Sequence, residues 1–325
     1  MTIGRNVPVW MLLFATVAYA GPITQDPCPG TVVVEEWKKL GNDVLENLLF
    51  ADGSLWVSDG TVGSVRRFNP DRSEGMGLTG VSSPGGLARD SDGLIYAGVG
   101  NSIANAVLKS GAAKVVRFSP TDPDGSAADY ASGFNMPNGM TFGPGGDLYI
   151  SNDFDYGLIR IQPDGTWAEL AHVWGTNGLV VDPAGESLYA AITFDQRSPI
   201  ERIPLGAPAE HETFAELTFG VASLEPAVYT EPDADAPLVG LKGLDDMTRS
   251  DGEGWRLYVV ANGMGELLEV DPATGDACLV ASGLQTPSSV RIAPAGGPFD
   301  TSGKTMTFWV VEFSGSIRRI GYSPE

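Results

Sequence analysis

The sequence predicts an all-β fold, a six-bladed β-propeller whose ring is closed by its N-terminal strand, and three observations carry that expectation. A short element of a large apolar residue and an aromatic recurs six times, as Leu55-Trp56, Ile95-Tyr96, Leu148-Tyr149, Leu188-Tyr189, Leu257-Tyr258 and Phe308-Trp309. The aromatics are 40, 53, 40, 69 and 51 residues apart, a 40-residue unit with insertions, and roughly 40–50 residues is the period of a four-stranded blade. Glycine at 42 and proline at 23 of 325 residues provide many turns, while 42% hydrophobic content is that of an ordinary folded domain.

Each copy repeats a larger pattern. Upstream of the aromatic lies a short strand and a tight glycine turn, as in Gly139-Met140-Thr141-Phe142 before Pro144-Gly145-Gly146. Downstream comes a further strand, often bearing arginine, such as Val65-Arg66-Arg67-Phe68 or Ile317-Arg318-Arg319-Ile320. Counting outward from the axis, these are strands A, B (with the aromatic) and C; short strands with regular turn signals indicate β structure. The sixth copy runs out of chain soon after its strand C, whereas residues 31–37 (TVVVEEW) form a β-branched strand before the first copy. The N-terminus is therefore expected to supply the missing outer strand and leave no free edge at the seam. One propeller domain over residues 21–325 follows.

Residues 1–20 read as a signal peptide: Arg5, an apolar run over 7–20 interrupted by Pro8, and Ala18-Tyr19-Ala20 before Gly21. The run is shorter than the ~20 residues needed to span a bilayer, so a secreted or periplasmic protein without a membrane anchor is expected. Cys28 and Cys278 are the only thiols. Export favours a disulfide between them; the alternative is that Cys278, in Ala277-Cys278-Leu279-Val280, is a buried strand residue.

Composition narrows the chemistry. With 20 Lys plus Arg against 41 Asp plus Glu, the net charge is −21, and such a surface repels nucleic acid and anionic membrane. Two His and two Cys exclude a multi-histidine site. No Gly-x-Ser-x-Gly elbow is present, and His172 and His211 sit in outer segments where solvation or packing accounts for them. Oxygen ligands, by contrast, are abundant.

Aligned on the start of strand A, the six copies place Glu46, Gly85, Asn138, Asn177, Asp245 and Ser288 at one mouth of the central channel. Asn138-Gly139 and Asn177-Gly178 taken singly read as turn dipeptides, but Glu46 and Asp245 at the same register do not. Two carboxylates and two amide carbonyls form a hard site suited to a divalent cation, calcium first, with magnesium or manganese as alternatives. The two largest insertions, residues 98–113 and 220–240, belong to loops expected at this mouth, as a lid or wall or, for the latter, merely an acidic loop.

These motifs resemble the propeller hydrolases that include gluconolactonases, luciferin-regenerating enzymes and senescence marker protein, with their relatives the paraoxonases. The points of resemblance are Val44-Leu45-Glu46, Pro137-Asn138-Gly139, Thr176-Asn177-Gly178-Leu179 and Leu244-Asp245-Asp246, each leading into its Leu-aromatic strand. The resemblance implies that Glu46, Asn138, Asn177 and Asp245 hold a catalytic divalent ion, with Asp246 a further residue of the metal shell on the paraoxonase pattern. Gly85 stands where paraoxonases carry a blade-two histidine, so their histidine-assisted chemistry is not implied. The expected function is hydrolysis of a small lactone or related ester, with Glu46 anchoring the ion and Asp245 serving as ligand and base, in a monomer. A secreted binding propeller with structural calcium is one alternative. Strictosidine-synthase-like condensation is another, with Glu312 as the residue to watch.

Overall fold

The computed structural model describes residues 25–195, 197–217, 243–301 and 306–325. The expected signal peptide and residues 220–240 lie outside the described residues. Among the described residues, twenty-four strands form six four-stranded antiparallel sheets. After β1 (Gly30–Lys39), blade I runs β2 (Leu45–Ala51), β3 (Ser54–Asp59), β4 (Ser64–Phe68), β5 (Glu74–Thr79). Blade II is β6 (Pro84–Arg89), β7 (Ile95–Val99), β8 (Ala113–Phe118), β9 (Ala128–Phe134), with a short helix α1 (Ile103–Val107) between β7 and β8. Blade III is β10 (Pro137–Phe142), β11 (Leu148–Asn152), β12 (Tyr156–Ile161), β13 (Trp167–Trp174), and blade IV is β14 (Thr176–Val181), β15 (Ser187–Ile192), β16 (Pro199–Pro204), β17 (Glu212–Glu216). Blade V is β18 (Leu244–Arg249), β19 (Leu257–Ala261), β20 (Glu266–Val270), β21 (Ala277–Ala281), and blade VI is β22 (Pro287–Ile292), β23 (Met306–Glu312), β24 (Ser316–Pro324).

Blade VI is completed by β1, which pairs antiparallel with β24 from Gly30 opposite Pro324 to Lys39 opposite Ser316. The ring is closed by the N-terminal strand, as the sequence predicts. Cys28 and Cys278 are joined by a disulfide, and the backbone of the adjoining segment pairs with β21, Cys28 N–H donating to Leu279 O at 2.9 Å and Leu279 N–H to Asp26 O at 2.9 Å. The N-terminus thus engages blade V before it enters blade VI.

The repeat is a packing device. Trp56, Tyr96, Tyr149, Tyr189, Tyr258 and Trp309, all on strand B, are buried. They stand in six apolar clusters, each spanning the joint between two neighbouring blades. Burying such rings, together with the aliphatic residues around them, contributes to the cohesion of each joint.

In every blade the A–B pairing shifts register near the start of strand A, between Leu45 and Leu48, Pro84 and Leu87, Pro137 and Met140, Thr176 and Leu179, Leu244 and Met247, and Pro287 and Ser289. Successive residues of a regular strand face opposite sides; a bulge re-aims them. Here both the second and third residues of strand A are brought to the axis. The third is glycine in blades II, III and IV for a steric reason. A Cβ on Gly86 would lie 1.7 Å from Asn138 O, one on Gly139 2.1 Å from Asn177 O, and one on Gly178 2.5 Å from Asp246 Cα. Neither asparagine nor the glycine after it has positive φ, so Asn138-Gly139 and Asn177-Gly178 are not turns. They are strand residues whose glycine lets the next blade's backbone approach.

Candidate functional site

The second residues of the six A strands are Glu46, Gly85, Asn138, Asn177, Asp245 and Ser288. Glu46, Asn138, Asn177 and Asp245, from blades I, III, IV and V, line one cavity of about 90 Å³ at the axis. In that measure one water needs roughly 10–15 Å³, so the space accommodates an ion with several small oxygen ligands. The other two positions of the ring contribute no side chain to it. Ser288 donates to Leu45 O at 2.6 Å, and Gly85 has no side chain.

The place left at Gly85 is taken by another residue. Asn101, buried in the insertion over residues 98–113, lies so close that a Cβ on Gly85 would sit 2.7 Å from its Nδ2. Asn101 Nδ2 donates to Glu46 Oε1 at 3.2 Å and to Asn138 Oδ1 at 3.4 Å, binding blades I and III across blade II. Ile103 of the same insertion also lines the cavity.

Besides Ser83, which precedes the first strand of blade II, three further polar residues of the cavity escape the strand-A register, and these are Asp153, Thr193 and Asn262. They share a second register, the fourth residue after each strand-B aromatic, which reads Gly60, Gly100, Asp153, Thr193, Asn262 and Phe313 around the ring. This position falls in the B–C turn, at the same end of the blade as the start of strand A. The signal was present in the repeat, one turn beyond the aromatic used to define it.

The hydrogen bonds leave oxygen atoms facing one another. Asn177 Nδ2 donates to Thr193 Oγ1 at 3.0 Å and to Asp245 Oδ1 at 2.9 Å, while Thr193 Oγ1 donates to Leu244 O at 2.8 Å. Asn262 Nδ2 donates to Asp245 Oδ2 at 3.2 Å and to Pro287 O at 3.2 Å. With both N–H groups of Asn101 and Asn262 committed, their Oδ1 atoms are buried and accept nothing, and Asp153 Oδ1 is in the same condition. Unpaired buried oxygens of this kind cost stability unless a cation or water meets them.

The electrostatics point the same way. The Glu46 carboxyl is pushed up to about 7, first by burial and then by the charge of Asp246, against the hydrogen bonds of Asn101 and Asn138. Asp153 is raised well above the usual carboxylate range by burial and by Glu46, and Asp245 by burial and by the charges of Glu46, Asp153 and Asp246. Three carboxyls share a space with no lysine, arginine or histidine among its described lining.

The donor set is therefore all oxygen, three carboxylates with amide carbonyls, and fits a hard divalent cation with 6–8 oxygen neighbours. It is an open arrangement, because the amides stand between the acids. Among the described residues no group of three or more His, Cys, Asp or Glu side chains is placed to hold a metal ion by itself, so a cation here would depend on the amide oxygens as well.

Asp246 is not among the residues that line the cavity. The third residue of its strand, it is buried and is ion-paired with Arg291. Its Oδ2 also accepts from Ser289 Oγ and from Asn47 Nδ2, the latter at 3.3 Å. Glu312, also buried, is held by Arg318 Nε at 3.1 Å, Gln285 N–H at 2.9 Å and Ser314 Oγ at 2.9 Å. His172 stacks on Tyr156 in an outer strand, with ring centroids 4.4 Å apart, and His211 lies 3.4 Å from Glu201; neither lines the cavity.

No family model and no curated protein matches the sequence. Solved structures match in three dimensions. A gluconolactonase from Xanthomonas campestris superposes with a TM-score of 0.62 at 15% identity, over 94% of this chain and 99% of that one. Virginiamycin B lyase from Staphylococcus aureus gives 0.57 at 15%, over 90% and 99%. An auxiliary nutrient binding protein from Bacteroides thetaiotaomicron gives 0.66 at 10%, over 90% and 77%. At these identities the likeness is one of fold.

Proposed function

We propose that this protein is an exported hydrolase of lactones or related esters that works with a divalent cation, calcium foremost, at the mouth of its channel. The observation that carries the reading is the convergence of Glu46, Asn138, Asn177 and Asp245, distant in sequence, on a single cavity. The three buried oxygens without partners beside them support it. Glu46, Asp245 and the carbonyls of Asn138 and Asn177 would hold the ion, with Asp153 as a third carboxylate. When bound, the ion would polarise an ester carbonyl and ease ionisation of nearby water.

The chain's own residues do the rest. Asp245 is kept fixed by Asn177 and Asn262, one amide on each oxygen. In the cation-free ring, burial and neighbouring charge raise its proton affinity, and a bound cation would offset that rise. Asn101 orients Glu46. Asp246, neutralised by Arg291, holds blade V to blade VI and so steadies the backbone carrying Asp245.

Export follows from residues 1–20 and accords with the Cys28–Cys278 bond; among the described residues no helix is long and apolar enough to cross a membrane. Elemental analysis of the purified protein, coupled to a panel of lactones and aryl esters with and without chelator, tests the proposal. Retained calcium and chelator-sensitive hydrolysis are expected, with Glu46→Gln losing both together. Full turnover by that variant after chelation would falsify the mechanism, and bound calcium without turnover would make the protein a binding propeller.

A further inference from the structure

The channel has a second mouth, which the proposed chemistry leaves unused. A cavity of about 540 Å³ opens where the A strands end, lined by their last residues and by the A–B turns of blades III and IV, at 143–144 and 182–185. The ligand ring has no basic side chain among its described lining, whereas Arg89, Arg249 and Arg291 all border this far cavity.

The three arginines are not alike. Arg249 is ion-paired with Asp251 and donates from Nε to Val181 O at 2.7 Å, and Arg291 is ion-paired with Asp246. Asp182, the other carboxylate of the described lining, accepts from the backbone N–H groups of Glu186 at 2.9 Å and Ser187 at 3.1 Å. The carboxylates of this mouth therefore have their partners within the protein. Arg89 has none. It is exposed, makes no hydrogen bond or ion pair among the described residues, and lies over the A–B turn of its own blade, where a Cβ on Gly93 would be 3.1 Å from its Nη2. The hydroxyls of Thr141 and Thr248, half-buried in the same lining, are likewise without partners among the described residues. Much of the remaining wall is apolar, with Leu49, Phe142, Pro144, Val181 and Pro183.

This inventory describes a ligand. One unpaired guanidinium and two unpaired hydroxyls ask for acceptor oxygens, and the guanidinium fork matches a carboxylate in two parallel hydrogen bonds. The charge is single, because a dianion would bring its second charge beside Asp182 and Asp251 with no countercharge left for it. The apolar wall gains from covering a hydrocarbon body. Elsewhere a net charge of −21 repels small anions, so one held here is held by these contacts.

We infer that the far mouth of the channel binds a small organic monocarboxylate with an apolar body, its carboxylate on the Arg89 guanidinium and its hydrocarbon along Phe142, Pro144 and Pro183. Thr141, on the neighbouring blade, supplies a further donor. The site needs neither a bound cation nor turnover, so it stands or falls apart from the hydrolase reading.

Calorimetric titration tests it, on protein stripped of calcium by chelator and then dialysed free of the chelator, so that no carboxylate can ligate an ion at the other mouth. Octanoate should bind once per chain. Octanamide, which keeps the body without the charge, and acetate, which keeps the charge without the body, should each bind at least about 10-fold more weakly. Arg89→Gln should weaken octanoate by about 10-fold or more with the melting temperature unchanged, and Arg89→Lys, which keeps the charge but not the fork, by less. Absence of octanoate binding, equal affinity for octanamide or acetate, tighter binding of inorganic phosphate than of octanoate, or unchanged octanoate affinity in Arg89→Gln overturns the inference.

Discussion

The cation-free protein should lose stability as the pH rises from about 4.5 to about 8. The Glu46 carboxyl is carried from an ordinary 4.5 to about 7 by burial above all, so over that interval the native state keeps a proton that the unfolded chain has released. The resulting stabilisation is complete below pH 4.5 and is lost as the pH passes through about 7. At ~1.4 kcal/mol for each unit of pKa the loss from Glu46 alone is about 3 kcal/mol, and less to the extent that cavity water solvates its half-buried side chain. Asp153 and Asp245 are raised in the same direction and should deepen the slope. Excess calcium, binding only the native ring, should return stability by mass action and do so more at pH 8 than at pH 5. Urea unfolding across this range, in chelator and in calcium, for the natural chain and for Glu46→Gln, measures each quantity. Equal stability at about pH 5 and pH 8 in chelator, or a full slope surviving in Glu46→Gln, would refute the reasoning.

Three further outcomes concern the frame. Replacing Cys28 and Cys278 by serine opens a loop with a sequence separation of 250 and should lower unfolding free energy by roughly 5 kcal/mol, the chain-entropy expectation, read from urea midpoints. Arg291→Met leaves buried Asp246 without its ion pair and should cost about 3 kcal/mol or more; a neutral result would show that the pair is not needed at the axis. Gly86→Ala forces a Cβ to within 1.7 Å of Asn138 O, and both a melting-temperature drop, on the order of 2 kcal/mol or more in stability, and weakened calcium binding are expected because Asn138 itself must shift.

The architecture was legible in the sequence because one residue type did one job six times. Each strand-B aromatic fills a joint between blades, so Trp56 and Tyr149 could be recognised as equivalents without any other similarity. The strand-A register was legible for the same reason, and Glu46 and Asp245 stood out because turn chemistry does not account for them. What was hidden depends on bulges and crossings. Asp246 follows Asp245 directly, and whether it joins the same cavity depends on how the bulge re-aims it and on Arg291, which is 45 residues away. Asn101 reaches the ring from a loop inside blade II and acts through the absence of a side chain at Gly85. Asp153, Thr193 and Asn262 needed a second register, set by the B–C turn, that strand periodicity does not announce. The glycines after Asn138 and Asn177 suggested turns because Asn-Gly favours them; in the fold they answer to the neighbouring blade.

The sharing of blade VI between the two ends of the chain has a consequence for biogenesis. Blades I to V are each contiguous and can pair as soon as their strands emerge, but β1, the first of the described strands, must wait for β24, the last of them. Its contact with β24 spans almost the whole polypeptide, so ring closure is the least local step and should be the slow one. Until then β1 is an open edge exposing Val32, Val33 and Val34, which remain partly solvent-facing even in the finished ring. A chain truncated near its C-terminus could complete five blades yet keep that edge available to other chains, making full-length synthesis the condition for a non-aggregating product.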